Sequence, residues 1–187
     1  MKAIATLALA TMAVSSVFAT AAQGSGQGSW TLNLGIAFPS GDHKDAGFDN
    51  MFGVGVDYNL GMVGNGSNAT SYIGVAALFG SGDSDTDSRT WGVHYGWMFP
   101  LNNGGNSSNF ALKLQGGYYN TEIKSPSAAV ATEDKWALGG MVGLVWKPQS
   151  NSGQNYQIEL GYYMYPKVSG ADNVGFQVSV GIPFNSK

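Results

Sequence analysis

The sequence predicts an all-β protein, an eight-stranded antiparallel transmembrane β-barrel. Three observations carry the prediction. Eight segments alternate strictly between bulky apolar residues and small or polar ones, aromatics stand at both ends of many apolar faces, and no charged side chain lies on any of those faces. Strict alternation builds a strand with two chemically different faces.

Ahead of the strands the chain opens MKAIATLALATMAVSSVFATAA. Lys2 gives a short positive start, Ala3 to Phe18 an apolar run, and Ala19-Thr20-Ala21 an A-x-A cleavage pattern. Together they read as a cleaved export signal over residues 1–21. A retained anchor is the alternative, but the run is short and alanine-rich beside the about 20 apolar residues a membrane helix needs. Residues 22–29, containing QGSGQGS, read as a flexible leader, and residues 30–184 as the barrel.

The strands follow in order. Trp30, Leu32, Leu34, Ile36 and Phe38 share one face, against Thr31, Asn33, Gly35 and Ala37. Phe52, Val54, Val56, Tyr58 and Leu60 alternate with Gly53, Gly55, Asp57 and Asn59, and Ile73, Val75, Ala77 and Phe79 form a weaker third set. The fourth, TWGVHYGWMF, places Trp91, Val93, Tyr95, Trp97 and Phe99 opposite Gly92, His94, Gly96 and Met98. The fifth runs Phe110, Leu112, Leu114, Gly116, Tyr118, and the sixth Trp136, Leu138, Gly140, Val142, Leu144, Trp146. The seventh is Tyr156, Ile158, Leu160, Tyr162, Met164, and the last Phe176, Val178, Val180, Ile182, Phe184. Segments of roughly ten residues suit a tilted membrane-spanning strand.

The order of residues along each apolar face says what that face meets. Trp30, Phe38, Trp91, Phe99, Phe110, Tyr118, Trp136, Trp146, Tyr156, Phe176 and Phe184 flank aliphatic stretches, as two aromatic girdles would. From Trp136 to Trp146 a strand tilted by about 45° covers about 23 Å of membrane normal, against an expected apolar band of about 25 Å. Asp57, Lys113 and Glu159 fall on the opposite faces. A charge facing lipid at mid-depth costs about 2–4 kcal/mol, so the polar face is the lumen. Backbone groups in hydrocarbon must all be paired, so the sheet closes on itself.

Composition narrows the function. Charged residues are 11% of the chain, net charge is −3 and cysteine is absent. The first is well below the roughly 25% of soluble domains. The second argues against a nucleic-acid partner, and the third excludes disulfides and thiolate metal sites. The connections alternate in kind. SGDHKDAG (40–47), GSGDSDTDSR (80–89), EIKSPSAAVATED (122–134) and PKVSGAD (166–172) are charged, whereas 61–69, 102–109 and 148–154 are rich in Gly, Asn and Ser. The charged set is expected to face outside, because the chain starts on the inner side of the membrane.

With these residues in view, the chain resembles the small eight-stranded outer-membrane barrels of the OmpX kind, or the transmembrane domain of OmpA. The resemblance is architectural and covers the mature chain. It implies residence in a bacterial outer membrane among lipid and lipopolysaccharide, as a monomer. It also implies that assembly machinery reads the C-terminal strand Gln177 to Phe184 by its terminal aromatic. Ser179 and Ile182 depart from the usual glycine and aromatic there.

Inside, Asp57, Lys113, Lys147 and Glu159 lie at similar distances from the uncharged ends of their strands, and are expected to form a compensated cluster. His94 points into the same lumen, with Met51, Met98, Met141, Tyr119 and Tyr163. The cluster reads as a structural network that fills the lumen, or as the filter of a narrow pore for ions or small polar solutes. An eight-stranded interior is just wide enough for side chains to fill, which favours the network.

Asp83, Asp85 and Asp87 have calcium-loop spacing, but Ser88 and His94 stand where such a loop needs glycine and glutamate, so no metal is expected. Asn65, Asn68 and Asn106 match glycosylation acceptors only as products of Asn/Ser-rich turns. Some barrels of this size modify lipid A, with a His in one loop and Asp-Ser in another. His43 and Asp83-Ser84 offer such a set, but the polar lumen of Asn33, Lys113, Gln115, Gln157 and Glu159 gives no acyl pocket. A secreted soluble barrel of the lipocalin kind conflicts with the girdles. The expectation is a non-enzymatic structural or surface-interaction protein without a cofactor, with a pore as the alternative and a lipid A-modifying enzyme third.

Overall fold

The computed structural model describes residues 28–45, 47–63, 69–82, 86–101, 109–124, 133–148, 156–168 and 170–184. The signal, most of the leader, the asparagines of the three sequons, Asp83 to Asp85 and most of the uncharged connections lie outside these residues. The strands are β1 (Trp30–Ser40), β2 (Met51–Met62), β3 (Thr70–Ser81), β4 (Asp87–Pro100), β5 (Phe110–Lys124), β6 (Glu133–Trp146), β7 (Gln157–Val168) and β8 (Ala171–Phe184). They pair antiparallel in sequence order, and β1 meets β8 to close the barrel. The closing ladder runs from Trp30↔Phe184 to Ser40↔Val174. No helix among the described residues is long and apolar enough to cross a membrane.

Alternation sorts the side chains by face. Along β4, Trp91, Val93, Tyr95, Trp97 and Phe99 are exposed, while Gly92, His94 and Gly96 are buried. Leu138 on β6 is 82% exposed, and Val75, Leu160 and Phe176 are more than half exposed. Apolar exposure on this scale belongs to a lipid-facing wall. The aromatics gather at its two ends. Trp30 packs on Tyr58 at 4.7 Å and Phe110 stacks with Trp146 at 6.5 Å at the uncharged end. At the charged end Trp91 meets Trp136 at 4.7 Å, and Tyr118 stacks on Trp136 at 5.4 Å. Asn120 is buried in the register between Trp91 and Trp136, and donates to Asp134 Oδ1 at 2.8 Å.

Much of what the sequence suggests as charged loop is strand. β5 is 15 residues long and reaches Lys124, and β6 begins at Glu133. β3 and β4 pair up to Ser81↔Asp87. Val168 pairs with Ala171 across a turn in which Gly170 takes φ +81°, a left-handed conformation open to glycine. Apolar alternation stops where the wall leaves the lipid, but backbone pairing does not need it. The exception is the first connection, which folds into a short helix α1 (Asp42–Asp45).

One ladder is incomplete. β6 pairs with β7 only from Gly140↔Met164 to Trp146↔Ile158, so among the described residues its upper part, 133–139, pairs with β5 alone. Pro166 on β7 has no N–H to offer at that height.

Candidate functional site

The lumen holds the chemistry, and it is layered. Nearest the uncharged end is an ionic cluster drawn from β1, β2, β4, β5 and β7. Lys113 Nζ lies 2.8 Å from Glu159 Oε2 and 3.4 Å from Asp57 Oδ2. The ammonium also sits 4.9 Å from the centre of the Tyr72 ring. His94 Nε2 is 2.7 Å from Asp57 Oδ1, and because a carboxylate only accepts, this nitrogen donates. Asn33 Nδ2 donates to Asp57 Oδ2 at 2.9 Å. Each of the three charged groups is more than nine-tenths buried, which charge tolerates only when paired and hydrogen-bonded.

The register explains why these residues meet. Asp57 lies opposite Gly74, and Gly74 lies opposite His94. A Cβ at Gly74 would fall on Asp57 Oδ1, Val56 O and His94 Nε2. The missing side chain lets two residues two strands apart touch across the strand between them. On the other wall Lys113 lies opposite Gly143, where a Cβ would press on the β7 backbone at Leu160 and Gly161.

Of the four charges expected together, the structure brings together Asp57, Lys113 and Glu159. Among the described residues Lys147 makes no salt bridge to them, although the Lys113 charge reaches it. It follows the last residue of β6, is exposed, and its backbone N–H donates to Asn109 O at 2.6 Å. Four residues separate it from Gly143, the partner of Lys113, which is about 13 Å along a strand. His94 takes the fourth place. Its direction was legible from alternation, but its link to Asp57 depends on register, and no local pattern signals that.

Above the ions lies a layer of Ala37, Met51, Leu78, Tyr119, Met141, Tyr163 and Tyr165. Gln115 joins the two levels, donating to Tyr119 Oη at 2.8 Å and accepting from Tyr72 Oη at 3.3 Å. Met98 is half-buried near the rim. Between the layers is a cavity of about 30 Å³ bordered by Asn33, Asp57, His94, Lys113, Gln115 and Glu159, among others. Asn33 Oδ1 and His94 Nδ1 lack partners there. A polar space of that size suits one or two buried waters.

The charged end is closed by neutral groups. Thr90 Oγ1 and Thr121 Oγ1 are 3.0 Å apart, and Asn173 Nδ2 donates to both, at 3.0 and 3.3 Å. Over them α1 turns His43 inward until it is 1% exposed. The imidazole stacks on Phe48 at 4.4 Å, and its Nε2 is 3.2 Å from Ser88 Oγ. Asp42 Oδ2 accepts the backbone N–H of Asp172 at 3.1 Å, tying the cap to β8. His43 lies outside the spanning wall, and burial pushes its pKa down to about 4. A His–Ser contact is the start of a nucleophilic site, but both residues are buried, and their side chains meet beneath the cap. Asp83-Ser84 lies outside the described residues. Among those residues no trio of His, Asp or Glu is arranged to hold a metal.

No protein-family model and no curated protein matches the chain. Solved structures do. The attachment invasion locus protein Ail of Yersinia pestis, in complex with the heparin analogue sucrose octasulfate, has 15% identity and a TM-score of 0.53, over 84% of this chain and 99% of that one. Neisserial surface protein A has 11% identity and a TM-score of 0.52, over 86% and 98%. The N-terminal β-barrel domain of Pseudomonas aeruginosa OprF has 13% identity and a TM-score of 0.50, over 85% and 99%. At these identities the likeness is one of fold, and the fold is that of the small eight-stranded outer-membrane barrels.

Proposed function

We propose that this chain is an exported protein of a bacterial outer membrane, a closed and non-enzymatic scaffold whose working surface is its charged end. The observation that carries the reading is the filled lumen. Among the described residues, buried ions, tyrosines and methionines occupy the lumen and α1 covers its charged end, where a pore would need a continuous water path. The exposed apolar belt, its aromatic ends, the signal-like leader and the fold of the neighbours support the location. Lipid and lipopolysaccharide then surround a monomer, and β8, ending at Phe184, is the strand offered to assembly machinery.

Two features support a role in surface contacts. Among the described residues the upper part of β6 pairs with β5 alone, and a strand edge is a pairing surface for another chain. The rim around the cap is acidic, with Asp42, Asp45, Asp49 and Asp87 against Lys44 and Arg89. That balance does not favour a polysulfated sugar of the kind bound by the Yersinia neighbour.

The test is single-channel conductance of the refolded mature protein in a planar bilayer, beside Lys113→Ala. A folded, silent barrel is the expected result. Discrete openings in the wild type, altered by Lys113→Ala, would overturn the closed scaffold and make the ionic cluster a filter.

A further inference from the structure

The ionic cluster holds an amine and two carboxyls in a place that bulk water does not reach. Lys113 Nζ stands between Glu159 Oε2 at 2.8 Å and Asp57 Oδ2 at 3.4 Å, and all three residues are more than nine-tenths buried. The two carboxyls are held differently. Asp57 is gripped at both oxygens, Oδ1 by His94 Nε2 at 2.7 Å and Oδ2 by Asn33 Nδ2 at 2.9 Å. Glu159 meets the ammonium through Oε2. The Tyr72 ring lies 4.9 Å from the same ammonium. Lys147, the other amine toward this end, makes no salt bridge to either carboxylate among the described residues.

We infer that Lys113 and Asp57 condense into an isopeptide bond, an amide from Nζ to Cγ, with Glu159 as proton carrier. Lys113 passes one proton to Asp57 Oδ2, and the freed amine attacks Cγ. As the C–N bond forms, negative charge gathers on Oδ1, where the N–H of His94 Nε2 stabilises it. Glu159 takes a second proton from the nitrogen and hands it to Oδ2. The Cγ–Oδ2 bond then breaks and Oδ2 leaves as water. Oδ1 stays as the amide carbonyl, and the third ammonium proton stays on the amide nitrogen. Glu159 ends as it began, and no oxidant or reductant is needed.

Three features of the site favour the bond. Groups held in contact by a folded wall react without the entropy cost of meeting. The product exchanges two buried charges for one neutral amide, which burial prefers. A cavity bordered by Asp57, His94, Lys113 and Glu159 stands ready for the water released, with Asn33 Oδ1 and His94 Nδ1 unpartnered beside it. The bond would tie β2 to β5 across the lumen, with β3 and β4 between them along the wall. Its ends lie 56 residues apart, so the unfolded chain would keep a closed loop.

The inference rests on the geometry of the lumen and not on the membrane reading, since neither insertion nor conductance enters its test. The mature chain kept in urea has the full mass of its sequence. Refolded into detergent, it is expected to lose the mass of one water, followed over time by intact mass spectrometry. Digestion should then release a branched peptide carrying both Asp57 and Lys113. Lys113→Arg and Asp57→Ala are expected to keep the full mass, and Lys147→Ala to link as the wild type does. Glu159→Gln should link about a hundredfold more slowly, the loss expected for a missing general base. Heat-dependent gel mobility reports whether each variant has folded, and where one has not, the wild-type peptide decides alone. A folded wild type that keeps its full mass, or a lost water that maps to other residues, would overturn the bond. Linkage of Glu159→Gln at the wild-type rate would overturn the part given to Glu159.

Discussion

The two ends of the lumen solve the same problem with opposite chemistry. Toward the uncharged end, buried polarity is ionic: Asp57, His94, Lys113 and Glu159 are held within 2.7 to 3.4 Å of one another by four strands. Toward the charged end it is neutral: Thr90, Thr121 and Asn173 share hydroxyl and amide bonds, beneath a histidine brought in by a loop helix. The ionic end is built wholly from the wall, so it cannot loosen without the wall. The neutral end adds to its wall residues Thr90, Thr121 and Asn173 a segment that belongs to no strand, the helix carrying His43.

The sharpest way to break the comparison is at Lys113. Lys113→Met leaves two buried carboxylates without their ammonium, and is expected to destabilise the folded barrel by about 3–5 kcal/mol. Urea unfolding in detergent, followed by heat-dependent gel mobility, measures it. A loss below about 1 kcal/mol would mean that water reaches the cluster. The next largest effect belongs to the cap. Burial holds the His43 pKa at about 4 against an ordinary value of 6.5, so the docked loop favours the neutral ring. Docking is then at full strength above pH 6.5, weakens as the pH falls, and has lost about 3 kcal/mol by pH 4. Protease protection of the 41–48 segment should fall over that window, and His43→Gln should flatten the profile. Protection of the wild type that is constant from pH 7 to 4 would argue against a docked neutral ring.

Within the neutral layer, Thr90→Val removes one hydroxyl from three mutual contacts and is expected to cost about 1 kcal/mol by the same unfolding measurement. The smallest effect sharpens the boundary of the ionic end. Lys147→Ala is expected to change stability by no more than about 0.5 kcal/mol, because among the described residues the side chain makes no salt bridge to the cluster. A change as large as that of Lys113→Met would restore the fourfold cluster.

What the sequence made legible was what repeats locally. Period-two alternation told inside from outside at His94, Lys113 and Tyr119, and the aromatic ends marked where lipid begins and stops. Strand length above the lipid was not legible, because Thr121, Glu122 and Lys124 pair through their backbones whatever their side chains. Nor was the membership of the ionic site. Counting from strand ends put Lys147 with Lys113, but height inside a barrel follows from the register of neighbouring ladders. Asn33 and Tyr72 joined the cluster through that register, with only inward direction to hint at it.

The ladder between β1 and β8 has a consequence for how the barrel comes into being. It joins Trp30 to Phe184, the first and last residues of the wall, whereas every other ladder joins strands adjacent in the chain. Seven hairpin junctions can zip with short-range encounters. The eighth cannot begin until nearly the whole wall is in place, because its loop spans all the rest. Until then two bare edges face hydrocarbon together, each unable to satisfy its backbone alone. The slow step of construction is therefore concentrated along a single line, between the pair of edges that chain order keeps apart the longest.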